Sequence, residues 1–247
     1  MQRPVPTAPV VLFTGNYGSG KTEVAVNYTA HFARMGTKVK IADLDLVNPY
    51  FRCREARDEL TALGVEVIAP GGEYHNADLP ILLPQVRGSI ETEGGLTVLD
   101  VGGDSVGATV VSSLVTSFAK GHYEMFFVLN KSRPFTGTVE GALRLIREVE
   151  EGARLPVTAI VSNTHLIEET TPEMVADGIV FAQEVAAAKG VSFAFVAAMR
   201  FLFDDPVLAN LDVPILPMER MLLPPWRQKV TGRQVTHTRD GWGRISN

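Results

Sequence analysis

The sequence has a single cysteine, Cys53, and no apolar run long enough to cross a bilayer. One cysteine excludes an internal disulfide and any metal site built from several thiolates of one chain. Spanning a bilayer takes roughly 18 consecutive apolar residues. Residues 1–9 are proline-rich and lack the charged-then-apolar order of a signal peptide. We therefore expect a cytoplasmic protein without membrane contact, in which Cys53 is a small, half-buried hydrophobic side chain.

Positive charge is also scarce over most of the chain. The net charge is −5, yet the segment from Glu219 onward has six Lys or Arg residues and only two acidic ones. Because the acidic body lacks a broad basic face, nucleic acid is not expected as a ligand. The basic tail either docks on the acidic body, which we favour, or contacts an acidic partner.

The 247 residues, 45% of them hydrophobic, suit one large α/β domain. Eight apolar runs alternate with amphipathic stretches, and most are continuously apolar, which is typical of parallel strands covered on both faces. We predict a three-layer, doubly wound sheet of seven to eight mostly parallel strands. Residues 1–218 form this domain, and residues 219–247 form a basic extension that is not an independent domain. The runs are residues 10–14, 39–43, 65–69, 96–101, 125–130, 157–162, 193–197 and 213–216.

One motif of high specificity is present. Two glycines separated by four residues, then Lys and Thr, match the phosphate-loop pattern of nucleotide-binding proteins. The backbone N–H groups of such a loop surround a β-phosphate, Lys21 reaches the β- and γ-phosphates, and the Thr22 hydroxyl binds Mg²⁺. An apolar run precedes the motif and helical spacing comes after it, up to Gly36, as the motif requires. The predicted nucleotide-binding residues here are Gly15, Asn16, Tyr17, Gly18, Ser19, Gly20, Lys21 and Thr22.

Asp100 stands near the end of the fourth apolar run. This is the Walker-B pattern, so we predict that Asp100 holds Mg²⁺ through an intervening water molecule. Gly102 and Gly103 come next and would let the backbone approach a γ-phosphate. Asp104 precedes a helical stripe and better fits a helix N-cap.

The second apolar run ends at Asp43 and Asp45. Asp45 is further along, so we predict that it is the one that reaches the site, where it either orients the attacking water or supports the magnesium shell; a solvated turn is the alternative. Together with Lys21 it is the predicted catalytic pair. Arg54 and Arg57 are interpreted as ordinary charge pairs at a solvated helix start.

Base specificity is predicted from two other strand ends. Asn130-Lys131-Ser132-Arg133 has Arg where the guanine-reading motif Asn-Lys-x-Asp has an acceptor. Arg has no acceptor atom, so this site cannot select guanine. The neutral amide of Asn163 can pair with the edge of adenine, and we therefore expect ATP as the ligand.

With these motifs in this order, the chain resembles the MinD/ParA/CobQ-type branch of the phosphate-loop NTPases, which includes dethiobiotin synthetase. The resemblance covers roughly residues 9–219. It implies Mg-ATP binding, often a nucleotide-dependent homodimer, and a last strand end that closes the base pocket, here Pro217, Met218 and Glu219. Asn16 stands where the MinD/ParA subgroup has a signature lysine that reaches the partner subunit's nucleotide.

Three functions are consistent with these patterns. The favoured one is an ATP hydrolase that acts as a nucleotide-dependent switch on a protein partner or homodimer. The second is an ATP-dependent ligase or kinase like dethiobiotin synthetase or cobyrinate amidase. The third is a nucleotide-binding scaffold with negligible turnover. Fold-level likeness does not decide among them.

Overall fold

The computed structural model describes residues 2–45, 53–69, 83–92, 94–118, 122–209 and 211–222. Within these residues, eight strands form one sheet in the order β3-β2-β4-β1-β5-β6-β7-β8, and every neighbouring pair is parallel. The strands are β1 (Val10–Thr14), β2 (Val39–Leu44), β3 (Glu66–Ile68), β4 (Leu96–Val101), β5 (Tyr123–Leu129), β6 (Ala159–Ser162), β7 (Ser192–Met199) and β8 (Ile215–Met218).

Helices connect successive strands, as parallel pairing demands. They are α1 (Lys21–Arg34), α2 (Arg57–Ala62), α3 (Leu83–Glu91), α4 (Ser105–Ser112), α5 (Val139–Ala153), α6 (Pro172–Lys189) and the short α7 (Pro206–Ala209). The predicted doubly wound α/β fold is therefore confirmed, with eight strands that are all parallel.

The core lies on both faces of the sheet, which explains the continuously apolar strands. In β1, Val10 and Leu12 pack in the cluster that contains α4 and α5, while Val11 and Phe13 pack in the cluster that contains α1. All four side chains are buried. Alternate side chains of one strand thus stabilise opposite layers.

The local signals at helix ends agree with the structure. The Asp104 side chain accepts a hydrogen bond from Gly107 N and caps α4, as expected. Thr171 caps α6, which ends at the left-handed Gly190. Cys53 is more buried than expected, since its side chain is fully inaccessible. No helix in the described ranges is both long and apolar enough to cross a membrane.

Successive strands are added to the sheet on one side of β1 and then on the other. Strands β2, β3 and β4 lie on one side of β1, and strands β5 to β8 lie on the other. In doubly wound sheets, ligands bind at the carboxyl ends of the strands near such a switch point. The loop after β1, residues 15–20, lies at this position.

Candidate functional site

The loop between β1 and α1 has a tight backbone that favours glycine at its key positions. Gly20 is left-handed (φ 81°) and forms the N-cap of α1, while Gly18 has φ 74°. Inside the loop, Ser19 N donates to Asn16 O (2.9 Å). The loop thus leads directly into the N-terminus of α1, and a helix N-terminus suits an anion.

Lys21 is buried at the base of this loop and pairs with a carboxylate. Its Nζ lies 2.7 Å from Asp45 Oδ2, and both side chains are almost fully inaccessible. Burial opposes the charge of Lys21, but the nearby carboxylates of Asp100 and Asp45 outweigh that cost and raise its pKa above the ordinary value. The loop thus holds a fully charged ammonium group in a low-dielectric environment.

Asp100 lies beside this pair and is completely buried. Within the described residues, neither carboxylate oxygen makes a well-formed hydrogen bond, although the Thr22 hydroxyl is near enough to favour the ionised form. Burial raises the pKa of Asp100 to about 8, against the opposing charge of Lys21. Two buried carboxylate oxygens without hydrogen bonds suit a hard cation.

Asp43 is the cross-strand neighbour of Asp100, and its carboxylate is engaged by Arg54. Arg54 Nε lies 3.1 Å from Asp43 Oδ2, and both side chains are nearly inaccessible. The interpretation of Arg54 as solvated is therefore wrong, because it neutralises a buried carboxylate. Arg57 is partly buried and donates to Val67 O in β3 and to Ala69 O just after it, so it anchors the end of this strand.

The side chains of Asp43, Cys53 and Asp100 bring potential metal ligands within 4.8 Å of one another. Burial raises the pKa of the Cys53 thiol well above its usual value, so it stays protonated. Since Arg54 engages Asp43, the better magnesium ligands are Asp100 and Thr22, both of which the sequence predicts. These two residues fit a hard divalent cation by ligand type and burial.

Gly102 contacts the end of β1, and Gly103 contacts the start of the phosphate loop. Thr14 Oγ1 donates to Gly102 O (3.1 Å), which joins the ends of β1 and β4. A Cβ at position 103 would overlap the Gly15 carbonyl oxygen. The close packing of two backbone segments therefore requires glycine here, independently of any phosphate.

A cavity of about 480 Å³ opens beside the loop, and Lys21 and Thr22 of α1 are among the residues that line it. Its other walls come from the loop itself and from residues at or after the ends of β5 to β8. They are mainly apolar, with a few polar groups, which is the usual character of a small-molecule site. Lining residues include Arg133, Phe135, His165, Met199, Leu202 and Met218.

Asn163 lies at this cavity but its amide is engaged by the loop. Asn163 Nδ2 donates to Ser19 O (2.7 Å), and the side chain is buried. A Cβ at Gly20 would overlap the same amide nitrogen. Asn163 therefore holds the phosphate loop in place. The sequence predicts that its amide pairs with adenine, and this contact with the loop is not part of that prediction.

The Asn130 side chain, like that of Asn163, is engaged by backbone groups near the cavity. Its amide group donates to His165 O (3.1 Å) and accepts from Ser132 N (2.9 Å). His165 Nδ1 accepts from Ile167 N (3.3 Å), and burial lowers the His165 pKa to about 4. The imidazole at the cavity wall is therefore neutral at pH 7.

The last strand end contributes one residue to the cavity. Met218 lines it, whereas Pro217 and Glu219 do not. The Glu219 carboxylate is half exposed and pairs with Arg34 (3.3 Å) and Arg200 (3.4 Å). Glu219 thus forms ion pairs at the surface. Of the three residues predicted to close the base pocket, only Met218 lines the cavity.

Residues 219–222 are held on α1 by two side chains that the sequence reasoning missed. The Glu23 carboxylate accepts from Met221 N (2.7 Å) and Leu222 N (3.2 Å). Asn27 exchanges two hydrogen bonds with the Glu219 backbone (2.8 and 2.9 Å). Both side chains lie in the first two turns after the phosphate loop, where Glu and Asn look like ordinary helix-surface residues.

Comparison with known proteins identifies the fold only. No protein-family profile and no curated protein matches the sequence. Chloroplast FtsY from Physcomitrella patens is 18% identical, with a TM-score of 0.51 over 79% of this chain and 60% of that chain. The signal recognition particle 54 kDa protein from Aeropyrum pernix, in complex with GDP, is 20% identical, with a TM-score of 0.50 over 78% of this chain and 42% of that chain.

Two further matches are more distant. The nucleotide-binding protein from Archaeoglobus fulgidus in complex with ADP is 15% identical, with a TM-score of 0.46 over 87% of this chain and 84% of that chain. The chain spans about 60% of the length of FtsY from Elizabethkingia anophelis (TM-score 0.49, 17% identity over 78% of this chain). The chain therefore has the phosphate-loop NTPase fold, as chloroplast FtsY and the 54 kDa protein do.

Proposed function

We propose that this protein binds Mg-ATP at residues 15–22, hydrolyses it, and uses the nucleotide state to control a protein partner or a second copy of itself. One observation supports this proposal above the others. A phosphate loop at the start of α1 encloses a buried lysine, Lys21, between two buried carboxylates, Asp45 and Asp100. A structural role alone does not call for this costly arrangement of charge.

The triphosphate would compete with Asp45 for Lys21. Lys21 Nζ contacts Asp45 Oδ2 at 2.7 Å, and both groups are buried. A β,γ-phosphate in the loop carries more negative charge than one carboxylate, so we expect Lys21 to turn towards it. Asp45 would then no longer be held by Lys21, and we propose that it turns to orient a water molecule.

Thr22 and Asp100 would hold the magnesium ion, because their oxygen atoms are close and Asp100 is buried. Magnesium, when bound, neutralises charge on the transferring phosphoryl group. Lys21 adds a second positive charge from the protein. Asp45 would position the water for in-line attack on the γ-phosphate.

ATP is proposed over GTP because of the residues on the base side. The guanine-reading pattern needs a carboxylate where this chain has Arg133, and Arg133 lines the cavity. The bound GDP of the 54 kDa protein is a property of that protein. Glu23 also lines the cavity, but we do not propose it as the acceptor for guanine, because its carboxylate already accepts two backbone hydrogen bonds.

The switch role is supported by the segment that comes directly after Asp100. Asp100 leads into Gly102 and Gly103, and Gly103 packs on the loop at Gly15. A change in the loop would therefore reach this segment. Residues 46–52, which come after Asp45, lie outside the described part of the chain. We further propose that the chain belongs to the MinD/ParA/CobQ-type branch but lacks its signature lysine, because Asn16 occupies that position.

Phosphate release from Mg-ATP tests this proposal. Purified wild-type protein should release phosphate, alone or with a cell extract that supplies a partner, and Lys21→Ala should not. Lys38→Ala is the matched control, since Lys38 is exposed and lies outside the site. Equal release by wild type and Lys21→Ala would refute the proposal.

The same assay separates the two alternative functions. Phosphate release that requires a small carboxylic acid would favour a ligase of the dethiobiotin-synthetase kind. ATP binding without release under every condition would favour a scaffold.

A further inference from the structure

Arg133 lies after the end of β5 and reaches back to the phosphate loop. Its Nε donates to Gly18 O at 2.9 Å. A Cβ built on Gly18 would lie only 3.0 Å from Arg133 Nε and 3.2 Å from its Cζ. The planar guanidinium group therefore packs directly against the loop, in the space that a side chain at position 18 would fill.

Arg133 also lines the cavity beside the loop. Its chain neighbours Pro134 and Phe135 line the same cavity, and Phe135 is 61% exposed. Within the described ranges, no carboxylate forms an ion pair with Arg133. A half-buried planar cation that pairs with none of the described carboxylates therefore forms part of the cavity wall.

The nearby Lys131 is engaged elsewhere, by Asp177 and Phe181. Lys131 Nζ pairs with Asp177 (2.7 Å) and lies 5.4 Å from the centre of the Phe181 ring. Asn130 is engaged by the backbone of residues 132 and 165. Of the four residues 130–133, Arg133 is thus the one whose side chain contributes a charged surface to both loop and cavity.

We propose that Arg133 is a specificity-determining residue on which the purine base stacks, and that it favours adenine over guanine. This inference rests on the proposed function. A guanidinium plane stacks well on the face of an aromatic base. The preference for adenine has a separate cause: Arg133 stands at the position of the carboxylate in the guanine-reading motif, so this position offers no acceptor for the N1–H and amino group of guanine.

The position of Arg133 favours the base over the phosphates as its contact. Lys21 lines the cavity at the start of α1, where the phosphates would bind, whereas Arg133 comes from the segment after β5 and contacts the loop at Gly18. The cavity walls that accompany it, including Met199, Leu202 and Met218, are apolar. An aromatic base suits such walls, and a phosphate does not.

The test compares three ligands, Mg-ATP, Mg-GTP and inorganic tripolyphosphate, by calorimetry on wild type and variants. Arg133→Ala should weaken ATP binding about tenfold while changing tripolyphosphate binding less than about twofold. Arg133→Lys should not restore ATP binding, because an ammonium group is not planar. Arg147→Ala, an exposed arginine on α5, is the matched control.

Arg133→Asp creates the acceptor that guanine reading requires. The ratio of ATP to GTP affinity should fall at least about tenfold in this variant, and its thermal unfolding should match that of Arg133→Ala.

Three results would overturn the inference. They are an equal loss of ATP and tripolyphosphate binding in Arg133→Ala, full recovery with Arg133→Lys, or an unchanged ATP-to-GTP ratio in Arg133→Asp. Failure of wild type to bind any nucleotide would remove the proposed function itself. Tight ATP binding by both wild type and Arg133→Ala would remove only this inference.

Discussion

At the scale of single residues, the site depends on one ammonium group shared between two buried carboxylates. Lys21 contacts Asp45 directly, and Asp100 adds the larger electrostatic effect on its pKa. Removing one member of such a cluster leaves an uncompensated buried charge, or neutralises it by a pKa shift. We therefore expect different effects from substituting Asp45 and Asp100.

Asp45→Asn should separate binding from turnover. Without the carboxylate, Lys21 is free for the phosphates, so ATP affinity should stay equal or increase several-fold, while phosphate release falls at least about tenfold. Calorimetry and single-turnover release measure the two effects. Loss of ATP binding by a folded Asp45→Asn protein would contradict the assignment.

Asp100→Asn should change magnesium dependence and little else. Burial raises the pKa of Asp100 to about 8, so its charged form is not strongly favoured, and an amide of similar shape should cost less than about 1 kcal/mol of stability. The magnesium concentration for half-maximal ATP binding should rise about tenfold, whereas binding in EDTA should not change. An unaltered magnesium titration would remove Asp100 from the metal site.

His165 predicts a pH effect on stability. Burial, followed by the charges of Arg133 and Arg220, lowers its pKa from 6.5 to about 4. Below pH 6.5 the unfolded chain takes up a proton that the folded protein does not, so this residue lowers the free energy of unfolding as pH falls. The expected loss between pH 6.5 and 5 is about 1.5 kcal/mol.

His165→Gln should remove this part of the pH dependence. Urea denaturation of wild type and variant at several pH values across that interval measures it. Because other groups titrate equally in both proteins, their difference isolates His165. Parallel stability curves would show that the imidazole keeps an ordinary pKa.

At the scale of elements, α1 joins the phosphate loop to the end of the last strand. Glu23 and Asn27 together hold the backbone of residues 219–222, and Met218 and Leu222 line the cavity. The helix therefore positions phosphate-binding and base-side residues at once. Loosening residues 219–222 should affect the base side first.

Asn27→Ala should loosen this connection. It removes two hydrogen bonds to the Glu219 backbone, and we expect a loss of about 1–3 kcal/mol in the free energy of unfolding, with faster amide exchange at Met221 and Leu222. Gln183→Ala, an exposed amide on α6, is the control. Unchanged exchange at both amides would contradict the connection.

The elements also explain why sequence reasoning succeeds in part. The approximate strand positions (with exact bounds for β1 and β4), the phosphate loop and the Asp104 cap are local patterns that a short window contains. The contacts of Asn163 with Ser19 and of Glu23 with Leu222 join residues 144 and 199 positions apart. No local pattern encodes such pairs, so the role of Asn163 in holding the loop is not foreseeable from the sequence.

The partner of Arg54 illustrates a second reason. Charged residues after a strand usually face solvent, and the prediction of a solvated Arg54 rests on that average. Here the Arg54 side chain is enclosed with Asp43 because β2 and β4 bring two aspartates side by side. Only the strand order, which the sequence does not state, makes a buried arginine necessary.

At the scale of the whole molecule, the sheet divides the site into two halves around β1. The phosphate half comes from α1 and the ends of β2 and β4, which supply Lys21, Asp45 and Asp100. The base half comes from residues at or after the ends of β5 to β8. A single nucleotide would bridge both halves at the switch point of the strand order.

The most direct test of this account is calorimetry of Mg-ATP with wild type and Lys21→Ala, both shown to be folded by thermal unfolding. The account predicts one ATP bound per chain of wild type and an affinity at least about a hundredfold lower in Lys21→Ala. Equal affinity in the two proteins, or no heat from wild type with any purine triphosphate and magnesium, would contradict it.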